Sequence, residues 1–284
     1  MATYLDPKND LTFKRIFGEH KHLCISLINS MLPLEKPIVD IEYETGELIP
    51  ELKDLRNTVV DVRCIDTDGR QFLVEMQMYW SNSFQRRVLL NASKAYLKQL
   101  DKNKEFKLLK PVFSLNFVNE IFEKSPEMEN TYQHHYKIAN IADTNKQIKG
   151  LEFFFIELPK YKPKNIAEKK LHDLWLLFLT QVDEGTDEIP PELLENELTR
   201  EAVSYAEKGA YTKGQLLTYD KYLDGIMIEV SSLSDARDDG IEQAHKTSIA
   251  NGLKAGYSIE IISTITGLTQ EQVLKIIEEL NIND

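Results

Sequence analysis

Residues 58–78, Thr-Val-Val-Asp-Val-Arg-Cys-Ile-Asp-Thr-Asp-Gly-Arg-Gln-Phe-Leu-Val-Glu-Met-Gln-Met, leave this chain little choice of local structure. Two runs rich in β-branched and apolar residues flank an Asp-Gly pair, which predicts a β-hairpin. A three-residue loop, Thr67-Asp68-Gly69 with Gly69 left-handed, sets Asp66 opposite Arg70. Cys64 then faces Phe72, Val62 faces Val74, and Val60 faces Met76. That register gives one wholly apolar face, as a strand packed on a core requires. On the other face Asp61 falls opposite Glu75, and Gln77 follows at the two-residue strand repeat. A slip of one residue would set Val60 against Gln77 and mix the faces, so it is rejected.

Two carboxylates directly opposed on a sheet have Cβ atoms about 5 Å apart, where like charges repel. A divalent cation between them removes the conflict. Mg²⁺ and Mn²⁺ prefer carboxylate, carbonyl and water oxygens, use only one or two protein carboxylates, and leave positions open for a phosphate. The expected hairpin offers such a set.

Asp61, a hairpin, then Glu75-Met76-Gln77 resembles the PD-(D/E)XK nuclease core, in the variant where Gln stands for the motif lysine. More narrowly, the chain is similar to the recombination-promoting nuclease and putative transposase family. The likeness extends over Asp10-Leu-Thr-Phe-Lys-Arg-Ile-Phe-Gly18, Phe84, Arg87, Tyr96, Phe106-Lys-Leu-Leu-Lys-Pro111-Val, Gly256-Tyr-Ser-Ile-Glu and Thr266-Gly-Leu-Thr-Gln-Glu-Gln272, which is nearly the whole chain. It implies an α/β restriction-endonuclease-like core, a mixed central sheet flanked by helices. The implied activity is Mg²⁺-dependent (or Mn²⁺-dependent) DNA endonuclease, linked to recombination, transposition or defence. Asp61 and Glu75 would then be metal ligands, with the Met76 backbone carbonyl and possible help from Asp10. Gln77 would orient the attacking water, and Arg87, Lys94, Lys98 and Lys14 would hold DNA. Gln carries no charge, so a nuclease fold that binds without cutting, or an interaction scaffold, stays open as an alternative.

The formal net charge of −12 argues against general nucleic-acid binding, but the charges are unevenly spread. From Arg86 to Lys110 there are eight basic residues (Arg86, Arg87, Lys94, Lys98, Lys102, Lys104, Lys107, Lys110) against Asp101 and Glu105. From Asp183 to Glu207 there are nine acidic residues and only Arg200 is basic. Two cysteines, Cys24 and Cys64, make no disulfide framework and suit a reducing cytoplasm. The start of the chain lacks a cationic segment followed by an apolar one, and its apolar runs fall short of a membrane span. A soluble cytoplasmic protein is expected, with DNA as partner and self-association possible.

Periodicity predicts a first helix capped by Asp10, with Lys14 on the same face, and a second from His22 to Met31. A strand over Ile38–Tyr43 precedes the hairpin. A helix over Ser83–Leu100 follows, then strands over Pro111–Phe117 and Leu151–Leu158. Helices are expected over 166–182, 192–208, 211–230 and 235–255, with Ser258 and the Thr269/Gln272 capping box starting the last two. The domains so read are a nuclease-like core over 1–165 and a helical region over 166–284, ending in a helix-turn-helix-like pair at 256–281. The pairs His20/His22 and His134-His135 lack zinc-site spacing and read as surface or packing residues.

Overall fold

The computed structural model of this protein describes residues 3–48, 58–100, 105–163 and 170–280. They form two compact units, Met1–Tyr219 and Asp220–Asp284. The core boundary expected near residue 165 falls among residues 164–169, outside the described ones.

The first unit is a mixed six-stranded sheet in the order β1-β4-β5-β6-β8-β7. Its strands are β1 (Ile41–Glu44), β4 (Val62–Asp66), β5 (Gln71–Gln77), β6 (Val112–Val118), β7 (Gln133–Asn140) and β8 (Asp143–Glu157). A separate two-stranded arm pairs β2 (Glu47–Leu48) with β3 (Thr58–Val59). β5, β6 and β8 run parallel, and β1-β4-β5 and β7-β8 are antiparallel. Parallel neighbours need a crossover, and α3 (Asn82–Leu97) supplies it between β5 and β6. Ser81 caps α3, its hydroxyl accepting from the Phe84 N–H at 3.0 Å.

Alternation along the strands assigns the two faces. Phe72, Val74, Met76, Phe113, Leu115, Phe117, Phe154 and Ile156 join the main core, with α1 (Asp10–Phe13), α2 (Lys21–Met31), α4 (Leu171–Gln181) and α6 (Glu197–Ala206). Phe17 stacks edge-on to Trp175 at 5.4 Å, and the Trp175 indole N–H donates to Ser26 Oγ at 3.0 Å. Leu73, Val112, Val118 and Phe155 face the other way and meet Ala92, Ala95, Val88 and Phe84 of α3. Both faces of β5 are therefore covered. Burying one large side chain contributes roughly 1.5–3 kcal/mol, so both layers clamp the sheet strongly.

The hairpin register is the one expected: Val62 pairs with Val74 and Cys64 with Phe72, and Gly69 is left-handed (φ 80). Other expectations change. Asn9, not Asp10, is the first cap, since its side chain accepts from the Leu11 N–H. The helix it starts continues as a π-helical turn over Lys14–Gly18. The segment expected as one helix over 192–208 splits into α5 (Pro191–Glu195) and α6 because Asn196 caps the second piece. The helices expected over 211–230 and 235–255 are instead one, α7 (Lys213–Lys254), since Ser231-Ser232-Leu233-Ser234 holds no helix breaker. Strand β8 starts eight residues earlier than Leu151 because its first half pairs back onto β7.

In the second unit the end of α7, α8 (Ile259–Thr266) and α9 (Gln270–Glu279) enclose Ile249, Ile262 and Val273. Ser258 caps α8, and Thr269 and Gln272 form the expected capping box on α9.

Candidate active site

The hairpin's regular pairing stops at Val62–Val74, and the chain bends at Asp61. The cause lies one step upstream. The Val60 N–H donates to the Gly46 carbonyl at 3.1 Å, drawing the strand into the β2-β3 arm. Val60 thus packs with Leu48, Leu73 and Ala92 on the α3 side, not opposite Met76 as the register alone implied. Alternate residues of β5 use alternate edges, so Met76 would bond to Val60 if the ladder continued. Asp61 takes that place: its Oδ2 accepts from the Met76 N–H at 2.7 Å. In an extended strand the carbonyl of Met76 faces the same edge as its N–H, and so lies beside this carboxylate.

From the other layer, Lys14 reaches the same point. Its Nζ lies 2.6 Å from Asp10 Oδ1 and 3.7 Å from Asp61 Oδ1. The expected i, i+4 pairing of Asp10 with Lys14 is thus present, aimed at Asp61. Burial pushes the Asp61 carboxyl up to about 7; the Met76 N–H and Lys14 pull it down, and Asp10 and Glu75 push it further up. An acid raised by burial and by two like charges is one that a cation would relieve.

Glu75 points into the α3 layer and is buried. Its Oε1 accepts from Asn91 Nδ2 at 3.0 Å, and its Oε2 lies 3.6 Å from Arg87 Nη2. Burial raises its pKa, with Asn91 and Arg87 opposing. The same guanidinium donates to Gln77 Oε1 at 2.8 Å and sits 5.1 Å from the Phe84 ring centroid. Arg87 is therefore turned onto the motif, with a fixed positive charge beside the uncharged Gln77. Next to Gln77, the Asn119 N–H donates to the Gln77 backbone carbonyl, and Glu120 accepts from the Trp80 N–H.

Asp61, Glu75, Met76 and Gln77, with Asp10, Lys14 and Arg87, are thus gathered at one end of the hairpin. Lys94 and Lys98 are not. Lys94 Nζ donates to the Leu48 carbonyl and the Thr58 hydroxyl, docking the arm on α3. Lys98 lies by Arg63 and Glu44. Lys102 and Lys104 are outside the described residues. The histidines have local partners: His134 with Glu157, His135 with Glu152, His22 with Glu201, and His20 stacked on Tyr205. Asn91 is the residue sequence reasoning missed. Its signal was an amide inside the apolar stripe Val88, Ala92, Ala95.

The oxygens here suit a hard divalent ion: two carboxylates and one backbone carbonyl. Among the described residues no group of three or more His, Cys, Asp or Glu side chains could hold a metal alone. Mg²⁺ does not need one, because it retains several waters and uses only one or two carboxylates. On this donor chemistry, the residues fit such an ion.

A family model described as PD-(D/E)XK nuclease family transposase matches residues 7–229. The chain belongs to that family. Its six-stranded mixed sheet with helices on both faces is consistent with the restriction-endonuclease-like core of these nucleases. The match spans the whole first unit from Pro7 and the first part of α7, including every site residue just described. No curated protein and no solved structure matches the chain. Among the described residues no helix is long and apolar enough to cross a membrane.

Proposed function

We propose that this member of the PD-(D/E)XK nuclease family transposases is a metal-dependent endonuclease that hydrolyses DNA phosphodiester bonds, acting in recombination, transposition or defence. The observation that carries the reading is the bend at Asp61. It exchanges a ladder hydrogen bond for a carboxylate set against Met76, one residue from Glu75.

Asp61, Glu75 and the Met76 carbonyl would hold Mg²⁺ or Mn²⁺, with Asp10 close by on α1. When bound, such an ion lowers the pKa of a coordinated water and shields charge developing on the phosphate. The protein's own groups do the remaining work. The Gln77 amide orients the attacking water by hydrogen bonding. Arg87 keeps that amide in place and adds a charge near the scissile phosphate, a role the uncharged Gln77 cannot fill. Lys14, bridging Asp10 and Asp61, offsets carboxylate charge and offers a contact to the DNA backbone. Lys94, engaged elsewhere, holds the arm of the surface over which DNA would lie.

Incubating supercoiled plasmid with Mg²⁺, Mn²⁺ or EDTA tests the reading, alongside Asp61→Ala and Glu75→Ala. Cutting should need the metal and fall by at least about a hundredfold in both variants. Cutting that is indifferent to EDTA and to both substitutions would sink it. Tight, salt-sensitive plasmid binding by a wild type that never cuts would favour the non-cutting alternative, whose supporting observation is the uncharged Gln77.

A further inference from the structure

Helix α3 holds Glu75 by both carboxylate oxygens, and the two grips differ in kind. Oε1 accepts from the neutral amide of Asn91 at 3.0 Å, inside the protein. Oε2 meets Arg87, one turn earlier on the same helix, at a longer 3.6 Å. Asn91 is completely buried, and its own Oδ1 has no hydrogen-bond partner. Such a residue is hard to justify by packing. Asn is a poor helix former, and a buried amide that leaves its carbonyl unpaired costs stability. A leucine there would continue the apolar stripe of Val88, Ala92 and Ala95. The single hydrogen bond that the Asn91 side chain makes among the described residues is the one to Glu75.

We propose that Asn91 is a positioning residue for Glu75: it ties down Oε1 from inside the helix layer, so that Oε2 is the oxygen presented to the divalent ion. The inference rests on reading Glu75 as a metal ligand. With Oε1 occupied by a neutral donor, the carboxylate cannot turn about its own axis or present both oxygens to the ion. Arg87, 3.6 Å from Oε2, stands beside the oxygen that would meet the ion. Outer partners that orient a ligand in this way typically change metal affinity by about 10- to 100-fold when removed.

The test uses the full chain without DNA. Mn²⁺ binding is read by electron paramagnetic resonance of the free ion for wild type, Asn91→Leu, Glu75→Gln and the double variant, with thermal melting as the fold check. Leucine keeps the branched outline and heavy-atom count of asparagine, is bulkier, and lacks its amide. Asn91→Leu should weaken Mn²⁺ binding by about tenfold or more while the protein stays folded. It should add nothing in the Glu75→Gln background, because its effect runs through Glu75. A folded Asn91→Leu protein that binds Mn²⁺ like wild type overturns the proposal, as does an equal loss in both backgrounds. Should the leucine variant melt below assay temperature, Asn91→Ser and its Glu75→Gln double make the same comparison, with a smaller loss expected because serine can still donate. A wild type that binds no Mn²⁺ overturns the metal site itself, an outcome distinct from failure of Asn91 alone.

Discussion

At the scale of single residues, Asp61 is the most informative group. Its carboxyl is pushed up to about 7 by burial, from an ordinary value near 3.8. The folded state thus binds a proton that the unfolded state has released above roughly pH 4. The stabilising effect of that proton is complete below the unfolded pKa and is lost as pH rises through the folded one. In EDTA, the wild-type melting temperature should therefore fall between about pH 4 and pH 7 relative to that of Asp61→Asn, which has nothing there to ionise. Parallel curves for the two proteins across that window would refute the assignment. Arg87 gives a second prediction. Its guanidinium serves Gln77 and Glu75 together, so Arg87→Ala should slow single-turnover cleavage by at least tenfold, about the scale of one lost charge-assisted contact. Arg87→Lys should recover only part, since a point charge cannot copy the fork. Equal rates for lysine and arginine would show that charge alone matters. Strand alternation and the Asp-Gly turn made the places of Glu75 and Gln77 on β5 legible, whereas Asp61, expected directly opposite Glu75, leaves the ladder and accepts from the Met76 N–H instead. The sequence did not reveal Asn91 or the inward turn of Arg87, because helix periodicity gives a residue's face but not the partner across the layer.

At the scale of elements, the hairpin was readable up to Val62 and unreadable just before it. Local pairing rules place Val60 opposite Met76, but the Gly46 carbonyl draws it away, and that contact joins segments 14 residues apart in the sequence. The approach is close enough to need glycine: a Cβ on Gly46 would stand 2.5 Å from the Val60 carbonyl oxygen. Gly46→Ala should therefore force the arm off β4 and cost about 1–3 kcal/mol, measured as a shift in denaturant midpoint. Because Asp61 follows Val60, cleavage should drop with it. An unchanged midpoint would mean that the arm yields freely. Cap chemistry was legible at Ser258 and the Thr269/Gln272 box, which act within one helical turn, but fell one residue off at Asp10, where Asn9 is the cap. The β7-β8 hairpin escaped notice because residues 137–149 are mostly exposed and polar, with little alternation to betray a strand.

At the scale of the whole molecule, the net charge averages over acidic and basic residues that are sorted along the chain. Asp220–Asp284 alone has twelve acidic and five basic residues, hence −7 of the overall −12. The sheet-bearing unit is accordingly less acidic than the chain as a whole. The mixed sheet with a helical layer on each face could be foreseen from the order of the elements, helix, strand, hairpin, helix, strand, strand. The share of α4 and α6 in the same core could not, because their apolar stripes look alike whether they cover this sheet or only one another. The two motif carboxylates are secured from opposite sides: Glu75 by α3, and Asp61 beside Lys14 from the α1 side. The distance between them is therefore set by how the two layers align across the sheet, which makes the site a gauge of that alignment. Ala92, fully buried where α3 meets the sheet, is the place to test the gauge. An added pair of methyl groups in Ala92→Val should lift α3 by a fraction of an ångström, lowering cleavage more than the accompanying loss of about 1–3 kcal/mol in stability would explain. Under the proposed function, residues that never touch DNA would tune cleavage through nothing more than the thickness of a helix layer.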